Sequence, residues 1–126
     1  MQHELIICNT VETIRVSAMD IVGIKAEGNY STIIFNDGEE RLVLFQLGQL
    51  ETMITEQLGA VASMFIRIGR GIIINREYLF IINLPRQVVV LRTSSGIKTT
   101  LSASRESLRQ LKLLIDNSIN NGKERG

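Results

Sequence analysis

The sequence predicts a mainly β fold with two helices, and three observations carry that prediction. Residues 20–45, "DIVGIKAEGNYSTIIFNDGEERLVLF", set β-branched and aromatic runs between closely spaced turn clusters. Two segments only, "LGQLETMITEQL" and "SASRESLRQLKLLIDNSI", change to a helical period. The chain has 126 residues and 44% hydrophobic residues, which suits one domain that buries its own core without staples.

Taken in order, "ELIICN" and "VETIRV" read as two short strands joined around Asn9-Thr10. Cys8 ends the apolar run Leu5–Cys8, and as the only cysteine it can form no internal disulfide. A reducing compartment is compatible, and a buried, inert thiol is expected. Val22, Ile24 and Ala26 are expected on one strand face, followed by a turn at Glu27-Gly28-Asn29 and a strand over Tyr30–Phe35. Asn36-Asp37-Gly38 is a hairpin signal, with Arg41–Phe45 as the returning strand. The carboxylates Asp37, Glu39 and Glu40 are read as a solvated turn, because no histidine or second acidic cluster accompanies them.

In "LGQLETMITEQL", Leu47, Leu50, Ile54 and Leu58 fall at helical spacing with Met53 beside them, a stripe suited to packing on a sheet. Met64–Ile68 is expected to be a strand, Gly69–Gly71 a turn, and Gly71–Asn75 the next apolar run. "NREYLFIIN" suggests a single helical turn before a strand, and Pro85 a turn or edge position. "QVVVLRT" and "GIKTTL" form a hairpin around Ser94-Ser95-Gly96. Leu108, Leu111, Leu114 and Ile115 carry the closing helix, with Ser104 as its N-cap. The tail at 117–126 is polar and predicted frayed. No apolar run approaches the ~18 residues of a spanning helix, and no basic n-region opens the chain. A soluble, cytoplasmic protein without a membrane partner is the expectation.

The formal net charge is only +1, but the charges are unevenly distributed along the chain. Residues 1–64 hold nine acids and three bases, whereas residues 65–112 hold nine bases and two acids. Seven of those nine bases are arginine, the side chain suited to bidentate contacts with phosphate and guanine. The asymmetry points to a polyanionic partner, unless the two halves interleave in space and the field averages out.

Catalytic motifs are missing. The only histidine, His3, lies at the N-terminus, and no base is placed beside a candidate nucleophile. "GRG" lacks the third glycine of a dinucleotide fingerprint, and there is no phosphate-binding loop or Cys/His set for zinc. No enzymatic activity, metal, cofactor or small-molecule substrate is expected. The sequence has no tryptophan and two tyrosines, too few for a platform that stacks single-stranded bases.

In "FIRIGRGIIIN", residues 65–75, Arg67 and Arg70 bracket Gly69, and Gly71 follows. The segment reads either as hairpin punctuation with solvated arginines or as a fingertip offered to a phosphate or base. Arg67 alternates with Ile66 and Ile68, so it is expected to face solvent beside the turn.

Four segments in register resemble the LytTR family of bacterial DNA-binding domains. "DIVGIKAEGNYSTIIFNDG" is similar to the family's opening I-x-x-I-x-A-x-x-x-Y strand pair, and "LGQLETMITEQL" to its x-L-x-x-L-E-x-x-L helix. "FIRIGRGIIIN" resembles F-x-R-[IV]-H-R-S-[YF]-[IV]-[IV]-N, and "LSASRESLRQL" the closing V-S-R-x-x-x-x-x-L. The matches keep order and spacing over about residues 11–115 of a single domain spanning 1–126.

The resemblance implies an elongated set of short antiparallel sheets and double-stranded DNA as ligand, read by loops in successive major grooves, as in a transcription regulator. Carried onto this chain, the reading loops are Gly28–Ser31, the turn bearing Arg70, and the segment bearing Arg105. Arg70 and Arg105 become candidate contacts, as does Tyr30 unless it packs on the sheet, with Asn29 and Ser31 as alternatives at the same loop. Arg67 becomes a phosphate contact, and Lys98 and Arg109 weaker ones. A second copy on an adjacent half-site is also implied. Gly69 and Gly71 depart from the usual histidine and polar residue, which removes potential phosphate contacts and loosens the loop. The alternative reading is a β-rich protein-interaction domain that keeps this fold without DNA.

Overall fold

The computed structural model describes residues 3–125. It contains ten strands in three antiparallel sheets, with one helix mid-chain and one at the C-terminal end. The first sheet is the hairpin of β1 (Glu4–Cys8) and β2 (Thr13–Ser17). Its turn is set by Asn9, whose Oδ1 accepts from the backbone N–H of Val11 at 2.8 Å and of Glu12 at 2.9 Å. Period-2 alternation turns Leu5 and Ile7 inward. Cys8 therefore faces out, and the expectation of a buried thiol is corrected.

The central sheet runs in the order β5-β4-β3-β7-β6. Its strands are β3 (Ile21–Glu27), β4 (Tyr30–Phe35), β5 (Glu40–Val43), β6 (Phe65–Ile68) and β7 (Ile72–Asn75). The sheet is buried on both faces. All four residues of β7 are buried, which is why the segment reads as a continuous apolar run.

Val22 and Ile24, predicted on one face, pack on opposite faces. The register steps from Ile21↔Phe35 to Gly23↔Ile34, so β3 carries one extra residue there. That bulge sends Ile21 and Ile24 into one core and Val22 into the other. Ala26, expected to share that face, is exposed beyond the covered part of the strand. The β5 strand begins one residue earlier than predicted and stops at Val43. At the β4–β5 turn Asp37 is exposed and Oδ1 accepts from Glu39 N at 2.9 Å, a solvated-turn role.

One face of this sheet is covered by the β1–β2 hairpin and α1 (Leu47–Leu58). The α1 stripe Leu47, Leu50, Ile54 and Leu58 is buried as the period predicts. Gln46 and Gln49 close a reciprocal capping box at its start. The opposite face is covered by the third sheet, ordered β10-β9-β8, and by α2 (Arg105–Arg125). Its strands are β8 (Leu79–Asn83), β9 (Val88–Arg92) and β10 (Lys98–Ser102). Gly23 allows the close approach of the two layers. A Cβ there would lie 3.3 Å from Ile73 O and 3.3 Å from a Leu91 methyl.

A single helical turn over Arg76–Tyr78 precedes β8, and Pro85 lies in the following turn, both as predicted. The helix α2 (Arg105–Arg125) extends through residues 117–125, where composition predicts fraying. Leu108 and Leu111 anchor it in the core. Leu114, predicted in the same stripe, is 45% exposed, while Ile115 beside it packs on the core.

Candidate nucleic-acid interface

Three polar junctions converge on one end of the central sheet. The β3–β4 turn is Gly28-Asn29, closed by the pairing of Glu27 with Tyr30. The β6–β7 turn is Gly69–Gly71, closed by the pairing of Ile68 with Ile72. Because β3 and β7 are adjacent, these turns are neighbours: Ala26 N donates to Gly71 O at 2.8 Å. The third junction, between β10 and α2, meets the second at Gly69, where an added Cβ would sit 2.8 Å from Ser107 Oγ. A cleft of about 410 Å³ lies between these parts, lined by Lys25, Ala26, Gly71, Ile72, Thr100 and Ser102 among others.

The conformation of the central turn depends on Gly69. Its φ is +59°, in the left-handed region where a side chain is disfavoured, and an added Cβ would displace the Ser107 hydroxyl. Gly71 is different: it has no positive φ, and a Cβ would meet nothing within 4 Å. Only one of the two flanking glycines is therefore demanded by the turn.

Arg67 does not stand free as predicted. Its Nε donates to Gly69 O at 3.1 Å, its Nη2 to Arg70 O at 3.3 Å, and its Nη1 to Glu51 on α1 at 2.9 Å. The guanidinium is thus committed to bracing the turn, where the sequence predicts a solvent-facing side chain. Arg70 is exposed at the turn, and among the described residues no carboxylate pairs with it. Arg105, the first residue of α2, is likewise exposed and without a carboxylate partner among the described residues. Ser104 caps this helix, its Oγ accepting from Ser107 N at 3.1 Å, and so fixes where Arg105 leaves the chain.

The β3–β4 turn contributes less than predicted. Asn29 is exposed, and its Oδ1 accepts from Gln46 Nε2 at 3.4 Å. Tyr30 is 46% exposed beside it. Ser31 is fully buried and donates to Phe45 O at 2.8 Å, so its candidacy as a surface contact is corrected. Its hydroxyl is turned onto the chain that follows β5, away from the tip.

Of the weaker candidates, Lys98 falls away from the loop end and Arg109 is ion-paired. Lys98 opens β10, so about 13 Å of strand at ~3.3 Å per residue separates it from the junction with α2. It lies 5.8 Å from the ring centre of Phe80, over which Arg92 also stacks at 3.7 Å. Arg109 is paired with Glu106 at 3.3 Å. Sequence reading missed a fourth junction at this end, the β8–β9 turn with Arg86. Its only local signals were Pro85 and the turn itself.

The model of the LytTr DNA-binding domain family matches residues 11–116. The chain belongs to the LytTR family. The match covers all three junctions and agrees with the span of the sequence resemblance. A solved structure of similar fold is the LytTr DNA-binding domain of a protein from Bacillus cereus, described as a methyl-accepting/DNA response regulator. It superposes with a TM-score of 0.61 at 16% identity, covering 91% of this chain and 98% of that one, a likeness of fold alone. A search of curated proteins returned no significant match. Among the described residues of this LytTR domain, no helix is long and apolar enough to cross a membrane.

Proposed function

We propose that this LytTR domain binds double-stranded DNA sequence-specifically, with loops entering successive major grooves, as a transcription regulator. The observation that carries the reading is the convergence of the Gly28-Asn29, Gly69–Gly71 and Ser104-Arg105 junctions on one end, with Arg70 and Arg105 exposed and uncommitted. In this reading Arg70 and Arg105 present their guanidinium forks to base edges, each worth ~1–3 kcal/mol of discrimination. Arg67 acts behind them, holding the carbonyls of Gly69 and Arg70 so that the tip enters the groove already shaped. Asn29 and Tyr30 lie beside the same surface and make flanking contacts. A second copy occupies an adjacent half-site on the same duplex.

Selection from a random duplex pool, followed by fluorescence anisotropy on the enriched sequence, tests the proposal. Arg70→Ala and Arg105→Ala are expected to weaken the selected duplex by about 1–3 kcal/mol each and to relax base preference at separate positions. Failure of any sequence to enrich at moderate salt would sink it in favour of a protein-interaction role.

A further inference from the structure

We propose that the β8–β9 turn is a fourth DNA-contacting element, with Arg86 as a backbone-phosphate anchor beside Arg105. The inference rests on the DNA-binding reading above and adds a contact that no sequence motif marks. Its first support is position. The pairing of Val88 with Ser102 brings the turn that precedes β9 beside the end of β10, where the chain leads into α2. Ala103 N donates to Gln87 O at 3.2 Å, a direct latch between this turn and the segment that carries Arg105.

The second support is rigidity. Asn83 Oδ1 accepts from Arg86 N at 3.0 Å, and Gln87 N donates to Leu84 O at 3.1 Å. Pro85 restricts the backbone between them. Gln87 is the one non-glycine residue with positive φ among the described residues, at 56°. The surrounding bonds hold it in a region that a side chain disfavours. A turn so constrained leaves little backbone entropy at Arg86 to lose on binding.

The third support is charge. Arg15, Arg41, Arg67 and Arg109 are each paired with a glutamate. Arg86 is exposed, has no carboxylate partner among the described residues, and forms its one hydrogen bond through the backbone. It thus joins Arg70 and Arg105 as an uncommitted arginine at the loop end. Its turn flanks the Arg105 junction instead of projecting from a glycine-shaped tip, a geometry suited to a duplex wall. Phosphate contacts set register without reading sequence. The Gln87–Ala103 latch transmits that register to Arg105.

The test uses the full chain, the selected duplex and a scrambled duplex, with anisotropy measured from 50 to 200 mM salt. Arg86→Ala is expected to weaken both duplexes by a similar factor and to lower the slope of log K against log salt by about 0.9. Over that range wild type then loses about 3.5-fold more affinity than the variant, the effect of one released counterion. Arg86→Lys keeps the slope, because it keeps the charge. A wild-type slope in Arg86→Ala overturns the anchor role, and an altered base preference makes Arg86 a reader instead and equally overturns it. If wild type binds no duplex, the DNA reading itself fails; if only Arg86→Ala is silent while Arg70→Ala and Arg105→Ala act, the fourth element alone fails. Unchanged thermal unfolding of Arg86→Ala is the control for folding.

Discussion

Gly69 concentrates two demands that single residues elsewhere in the domain meet separately. Its φ of +59° excludes a comfortable side chain, and Ser107 occupies the place where a Cβ would go. Gly69→Ala is therefore expected to destabilise the domain by about 1–2 kcal/mol from the dihedral alone, with the displacement of Ser107 adding to it. Gly71→Ala is the contrasting case. It meets open space at an ordinary dihedral, and it should be neutral or stabilise by about 0.4–1 kcal/mol through the unfolded state. Thermal unfolding of the two variants side by side checks the pair, and equal losses would contradict it. The histidine usual in the family would need the same contact to give way: a Cβ at Gly69 lies 2.8 Å from the Ser107 hydroxyl, which must rotate aside.

At the scale of elements, α2 ties function to stability through its start. The Ser104 cap, the Gly69–Ser107 contact and the burial of Leu108 and Leu111 all act within the first two turns. Ser104→Ala is expected to cost about 0.5–2 kcal/mol of stability, read from urea unfolding. It should also weaken specific DNA binding, because Arg105 follows the lost cap. A variant with normal stability and normal affinity would show that the cap is dispensable. The strands were largely legible from alternation and turn residues, and α1 was legible to its end residues. The bulge at Val22 was not, because an extra residue changes facing without changing composition. The extent of α2 also lay beyond periodicity, because its last turns carry polar residues with no apolar face to mark them.

For the whole molecule, the expectation is a monomer in solution that pairs only on DNA. Among the described residues the large exposed apolar side chains are spread over several elements: Ile6 on β1, Val11 in the turn after it, Met19 before β3, Tyr30 on β4, Leu42 and Leu44 at β5, Phe80 and Ile81 on the third sheet, and Leu113, Leu114 and Ile119 on α2. A dedicated interface needs about 1,000 Å² with an apolar centre, and none of these groups supplies a contiguous one. Pairing on adjacent half-sites then gains from effective concentration on the duplex. Sedimentation of the free protein at micromolar concentrations should give one species of 14.1 kDa. A dimer independent of concentration would contradict this, and the Leu113–Ile119 face of α2 would be the first to substitute. Affinity for DNA should also fall steeply with salt, in proportion to the phosphates neutralised.

The sequence by itself determined the β-rich pattern, both helices, the positions of the turns and membership of the LytTR family. Those properties rest on alternation, helical period, turn chemistry and motif spacing, all of which are local along the chain. The tertiary structure decided which arginines remain free. Arg67 and Arg70 look alike in "FIRIGRGIIIN", but only Arg67 reaches Glu51 on α1 and the carbonyls of its own turn. Ser31 reads as a loop residue until strand register turns it inward against Phe45. Arg86 carries no motif and gains its place only because Gln87 meets Ala103 across the third sheet. Each of these outcomes depends on a partner distant in sequence, and a one-dimensional period holds no information about which distant segment will fill the space beside a side chain.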